Sequence, residues 1–160
     1  LLSASRSVAV ARIRVNGGPL HVFSTHLDDA SASTRTTQIA ELKACAAARS
    51  EQRVIMGDFN ASPTATELRA MTADYEDAWA RARADGTAVA YSGNEAGNTR
   101  NGRIDYIWRS KGGTGLVLLA AQVYDTGSIS DHRPLSATYA PTVSPAPPPV
   151  LPPANVRVVR

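Results

Sequence analysis

Four short stretches carry the residues able to do chemistry. In Val54-Ile55-Met56-Gly57-Asp58-Phe59-Asn60 an apolar run passes through a glycine and delivers an Asp and an Asn. Ser24-Thr25-His26-Leu27-Asp28 ends an earlier apolar run, Arg103-Ile104-Asp105-Tyr106-Ile107 opens a later one, and Ser130-Asp131-His132-Arg133-Pro134 precedes the last. Carboxylates, a side-chain amide and imidazoles at strand ends suit attack of water on phosphorus. That reaction needs a group to align the water and take its proton, donors for the non-bridging oxygens, and a proton or metal for the leaving oxygen. An imidazole such as that of His132 can act as base or cation, provided a partner orients its ring. Asp105, between Ile104 and Tyr106, is costly to bury without a partner of its own. Taken singly, Asp58, Asn60 and Asp131 are also ordinary turn formers, and a hydrogen-bonded core residue is the lesser reading of His26. One cysteine and three scattered histidines lack the spacing of a closed zinc site, and no phosphate-cradling Gly-x-x-x-x-Gly-Lys loop occurs.

The elements around these stretches must bring them together. Val8–Val15 alternates imperfectly, Asn16-Gly17-Gly18 interrupts it, and Leu20–Phe23 resumes, which predicts a β-hairpin with positive φ angles at its turn. Ile39, Leu42 and Ala46 recur at helical spacing within Thr34–Ala48, with Ser31, Ser33 and Thr34 upstream as N-cap candidates. The crossover helix leads to a central strand at Arg53–Met56. Pro63, Thr64 and Glu67 have the spacing of a capped helix start, with Leu68 and Met71 on its apolar face. Ala73–Ala84 predicts an irregular or short helical crossing, and Ser92–Gly102, rich in Gly and Asn, a loop. Strands follow at Ile104–Arg109, at Leu116–Tyr124 and at Leu135–Tyr139.

With 43% hydrophobic and 19% charged residues the chain suits one folded core. Arg157 and Arg160 supply two of the three net positive charges, so the charge of the remainder does not argue for nucleic acid. The lone Cys45 allows no internal disulfide and reads as a small core residue. No apolar run approaches the ~20 residues of a membrane span. His21 lies mid-strand and reads as structural, whereas Asn98, Arg100 and Arg103 precede Asp105 in a loop that could face substrate or solvent. Residues 141–153, rich in proline, predict an extended linker that closes the domain at residue 140, and 154–160 alternate like the opening strand of a fibronectin type III module.

The four motifs, in this order, resemble the endonuclease/exonuclease/phosphatase family of DNase I-like phosphoesterases, from about Val8 to Tyr139. The resemblance implies an α/β (α+β) fold, the C-terminal part of a four-layered α/β/β/α sandwich of two mixed β-sheets. It also implies that an N-terminal half, with the other sheet, a further Asn and a metal-binding Glu, lies outside this chain, leaving an apolar sheet face uncovered. By the same resemblance, His26, Asp58, Asn60, Asp105 and His132 are the catalytic residues. Asp58 would orient or deprotonate the water, Asn60 and His26 would meet the phosphate or leaving group, and Asp105 would fix the His132 tautomer. Asp131 would bind Mg2+ (or Mn2+). The implied activity is Mg-dependent hydrolysis of phosphodiester bonds, nuclease-like, with a phosphate ester or nucleic acid as partner. A phospholipid or inositol phosphate phosphatase, or an inert binding fragment, are the alternatives. The linker and fibronectin-like start suit an extracellular enzyme.

Overall fold

The computed structural model describes residues 6–15, 18–112 and 115–142. Strands β1 (Val8–Val15) and β2 (Gly18–His26) pair antiparallel from Val8 opposite Thr25 to Val15 opposite Gly18. The expected hairpin is present, although Asn16 and Gly17 lie outside the described residues. Helix α1 (Ala32–Ala47) starts at Ser31, whose Oγ accepts from the Thr34 amide at 3.2 Å. It carries the chain over to β3 (Gln52–Asp58), which pairs parallel with β2. A 3-10 turn at Thr66–Leu68 leads into α2 (Arg69–Asp74), β4 (Tyr75–Asp77) and α3 (Ala78–Asp85). The two-residue β5 (Ala88–Val89), the loop containing Ser92–Gly102, β6 (Asp105–Ser110), β7 (Leu116–Val123) and β8 (Leu135–Pro141) complete the described chain.

Two mixed sheets result, ordered β1-β2-β3-β6-β4 and β5-β7-β8. In the larger sheet Phe23, Ile55 and Trp108 are register partners, and with Tyr106 they pack under Ile39, Leu42 and Ala46 of α1 and against Leu68 and Met71. The helical spacing read in the sequence therefore marks the buried stripe of α1. The opposite face places Leu20, Val54, Met56 and Ile107 against Leu116 and Tyr139 of the smaller sheet. Trp79 and Ala82 of α3 cover the smaller sheet at Ala121 and Val123. The bulge in β7 keeps Leu116, Leu118, Ala121 and Val123 on one face, so α3 meets the smaller sheet on the side that also meets the larger one, and α1, the larger sheet and the smaller sheet are stacked in that order, both sheets lying within this chain. Each large side chain buried this way contributes about 1.5–3 kcal/mol. Val10, Ile13, Val117 and Leu119 remain exposed on β1 and β7. No helix among the described residues is long and apolar enough to cross a membrane.

Three local expectations are corrected. Thr64 and Glu67 form no capping box: the 3-10 turn has Ala65 at its N-cap without a side-chain bond, and Glu67 accepts from the Arg35 guanidinium instead, at 2.7 and 2.9 Å. A carboxylate this shielded, 7% exposed, needs charged or hydrogen-bonding partners, and Arg35 is one of them. Tyr75–Asp77 is a strand because it adds to the edge of β6, and only from Ala78 does the chain turn helical. Asp77 makes that switch, its Oδ1 accepting from the amides of Trp79 and Ala80. Pro141 belongs to β8, opposite Leu116, rather than to the linker, since an edge strand tolerates a residue without an amide proton. Residues 143–160, with the rest of the expected linker and the fibronectin-like start, lie outside the described residues.

Candidate active site

The site begins as a row in the larger sheet. His26 ends β2, Asp58 ends β3 and Asp105 opens β6; His26 pairs with Asp58, and Asp58 with Asp105. Register partners point to the same face, so the three side chains stand side by side at a strand spacing of about 4.8 Å. The rows behind them are Ser24-Met56-Ile107 and then Val22-Val54-Arg109, so this row is the polar end of the face that meets the second sheet.

Two backbone features make the row. Gly57 has φ +143, and a Cβ there would lie 1.9 Å from the Thr25 carbonyl oxygen. Only glycine permits so close an approach of β2 and β3 one residue before Asp58. The strands also stay paired beyond their ends, with Leu27 donating to the Asp58 carbonyl and Phe59 to the Ile104 carbonyl, both at 2.9 Å. Phe59 then turns into the core, edge-on to Tyr106 and Trp108. The Tyr106 hydroxyl lies 2.7 Å from the Ala61 carbonyl and 3.0 Å from that of Arg103, tying together the segments that follow Asn60 and precede Asp105. Burial pushes the pKa of this phenol well up.

Asn60 adopts a left-handed φ of 48, which Asn tolerates better than most residues. Its amide donates to Asp58 Oδ1 at 2.7 Å, so one carboxylate oxygen is held and Oδ2 faces the site. Asn60 Nδ2 donates to the Leu27 carbonyl at 3.0 Å and meets His26 Nε2 at 3.1 Å. His132 arrives from the β7–β8 connection. Its Nδ1 lies 2.9 Å from Asp105 Oδ2, and its Nε2 points toward Asp58 Oδ2 at 3.9 Å. His26 Nε2 approaches the same Asp58 oxygen at 3.5 Å. Burial pushes the Asp58 carboxyl above its usual range and the Asp105 charge adds to this, against the Asn60 amide and the two imidazoles. An acid so placed and a buttressed imidazole can together bind, orient and deprotonate a water. Donor atoms of Asp58, Asp105 and His132 also lie within 4.8 Å of one another, close enough to hold a metal ion.

All five expected catalytic residues therefore meet at one end of the sheet. Asp131 does not join them: its carboxylate is 70% exposed and pairs with Arg100 Nη2 at 2.8 Å. Arg103 turns inward, bonded to Asp77 at 2.6 Å and lying over the Tyr106 ring. His21 is buried with its Nδ1 3.5 Å from Glu51, and Cys45 is free and packs against the core. A cavity of about 540 Å3 flanks Asp105 and His132. Sequence reading missed Thr99, which is fully buried in the loop before β6. Its hydroxyl accepts from the amides of Ile104 and Asp105, and its carbonyl accepts from the Arg133 amide, so one residue holds the backbone of Asp105 and of the residue after His132. Nothing in a Gly- and Asn-rich segment singles it out.

The sequence profile of the endonuclease/exonuclease/phosphatase family matches residues 4–132, and the chain belongs to that family. Its members are hydrolytic phosphoesterases that generally use divalent metals. Among solved structures, the human Nocturnin catalytic domain with bound sulfate is 21% identical, with a TM-score of 0.65 over 87% of this chain and 54% of that one. The mannosyl-6-phosphatase Bt3783 of Bacteroides thetaiotaomicron is 18% identical, with a TM-score of 0.54 over 78% of this chain and 52% of that one. D. rerio TDP2 in complex with a single-strand DNA product is 17% identical, with a TM-score of 0.64 over 84% of this chain and 62% of that one. The chain thus spans between half and two thirds of the length of these similar structures. No curated protein sequence matches it.

Proposed function

We propose that the chain carries the water-activating and phosphate-holding side of a divalent-cation-dependent phosphodiesterase, nuclease-like in its substrate. The observation that carries this reading is the in-register row His26-Asp58-Asp105 with His132 braced on Asp105. Asp105 accepts from His132 Nδ1–H, which leaves Nε2 turned to the same space as Asp58 Oδ2. A water lodged there loses its proton to Asp58 or to His132 as it attacks phosphorus. Asn60 Nδ2 then exchanges its contact with His26 Nε2 for a non-bridging oxygen, with His26 beside it, a role for which a neutral amide avoids over-stabilising the bound ester.

The residues present fit a hard divalent cation. Asp58 and Asp105 set two carboxylates side by side with imidazoles as their partners within the row, a charge excess that a cation relieves. Mg2+ takes one or two carboxylates with water and phosphate oxygens, and Mn2+ also accepts imidazole. Asp58 and Asp105 would hold it, which leaves the His132 Nε2 lone pair for the water, with Asp131 at the rim as a further carboxylate once released from Arg100. When bound, the cation neutralises charge on the phosphate oxygens. The DNA-product complex of one relative supports a nucleic-acid substrate, while the phosphatase relative makes phosphomonoesters the competitor to test.

The test is hydrolysis of bis(4-nitrophenyl) phosphate, 4-nitrophenyl phosphate and single-stranded DNA by the protein carrying this chain, with His132→Ala alongside. Loss of general base catalysis predicts a fall in turnover of about 10²–10⁴ with an unchanged circular dichroism spectrum. Equal turnover in the folded variant would remove His132 from the chemistry, and preference for the monoester would reassign the substrate.

A further inference from the structure

Asn60 does not orient its own amide. Its Nδ2 is held by the Leu27 carbonyl, so the direction of that carbonyl decides which way the amide faces His26 and the site. The Leu27 carbonyl and the Asp28 amide are two ends of one planar peptide unit, and holding either end aims the other. The Asp28 amide donates to Gln38 Oε1 at 2.9 Å. One turn earlier on α1, Arg35 Nη1 donates to the Asp28 carbonyl at 3.1 Å. Arg35 is fixed in turn by Glu67, the two side chains being 12% and 7% exposed. Asp28 closes the turn itself, its Oδ1 accepting from the amides of Ala30 and Ser31.

We infer that Gln38, seconded by the Arg35–Glu67 pair, is a positioning residue that sets the Asn60 amide, and through it the contact with His26, by aiming the Leu27–Asp28 peptide. Neither Gln38 nor Arg35 touches the reacting atoms. The inference rests on the proposed function only where it predicts rates; the geometry it predicts is readable without any activity.

The test compares Gln38→Met, which keeps the length of the side chain and removes the acceptor, with Gln38→Glu, which keeps an acceptor for the Asp28 amide. Gln52→Met serves as control, because Gln52 makes a similar side-chain bond to Ser110 at the far end of β3. In Gln38→Met, exchange of the Asn60 side-chain amide protons, followed by NMR, speeds up by about tenfold and the His26 ring resonances move. Gln38→Glu and Gln52→Met leave both near wild type. Where hydrolysis is measurable, kcat/KM falls by about 10- to 100-fold in Gln38→Met and is restored in Gln38→Glu, the size expected for groups that orient a site from behind. Should Gln38→Met fail to fold, Arg35→Gln, which frees the Asp28 carbonyl, is read by the same signals. Unchanged Asn60 and His26 resonances in the folded variant overturn the inference, as does an equal change in Gln52→Met. Absence of hydrolysis in every form, wild type included, counts against the proposed function and leaves the NMR result to decide this one.

Discussion

Replacing Gly57 by alanine puts a methyl carbon 1.9 Å from the Thr25 carbonyl oxygen and 2.9 Å from its carbonyl carbon. Side-chain Cβ atoms do not approach backbone closer than about 3 Å, so β2 and β3 must part by roughly 1 Å at this pair. Parallel ladder bonds of about 2.9 Å stretched by that amount leave the hydrogen-bonding range, and each lost bond costs about 1 kcal/mol net. The backbone adds to this, since φ +143 is a region essentially reserved for glycine, at a strain of about 1–3 kcal/mol. Together these give about 3–5 kcal/mol, a large share of the 5–15 kcal/mol that holds an ordinary domain together. With m near 2 kcal/mol/M, the urea midpoint falls by about 2 M, and the thermal midpoint by about 10 °C. Gly86→Ala isolates the backbone part: φ is +73, nothing lies within 4 Å, and the expected loss is only about 1 kcal/mol. Urea denaturation of both variants decides the matter. A loss below about 1 kcal/mol in Gly57→Ala, or equal losses in the two, refutes the claim that contact between β2 and β3 at this glycine sets the spacing of His26 and Asp58.

Three further outcomes are expected. Burial works to raise the Glu67 carboxyl, but its own backbone amide and the Arg35 guanidinium outweigh it and hold the pKa below the usual range. Its contribution is therefore complete above an unfolded pKa of about 4.3 and is lost as pH falls through the lower folded value; urea midpoints between neutral and acid pH should show this, and Glu67→Gln should flatten it. Phe59→Ala empties the aromatic contact beneath Asp58 and Asn60 and should cost about 3–5 kcal/mol in equilibrium unfolding, against under 1 kcal/mol if the loop carried the site without it. Chelation by EDTA should abolish phosphodiester hydrolysis, with Mg2+ or Mn2+ restoring it; undiminished activity after chelation would exclude the cation from the reaction.

Much of the architecture was legible along the chain because it rests on local pattern. The spacing of Ile39, Leu42 and Ala46 marked the buried stripe of α1, and the alternation around Tyr106 and Trp108 marked the inner face of β6. Misreadings arose where a local signal competed with a distant partner. Glu67 had capping-box spacing, yet Arg35, 32 residues earlier, offered a better neighbour. Arg103 read as facing either substrate or solvent until Asp77 and the Tyr106 ring were brought against it. Thr99 and Gln38 carried no signal at all, because each acts through backbone groups whose positions depend on the whole turn.

By itself the sequence determined which side chains were available for phosphate chemistry and that each stood at the end of a strand, since residue types, glycine turns and apolar runs are properties of short segments. That His26, Asp58 and Asp105 form one row was decided only in three dimensions. The row requires a parallel crossover from β2 to β3 and then an antiparallel pairing of β3 with a strand almost fifty residues later, in a register that a slip of one residue would destroy by turning a side chain to the opposite face. Register is set by burying Phe23, Ile55 and Trp108 under α1, so packing on the apolar face is what aligns the polar end of the other.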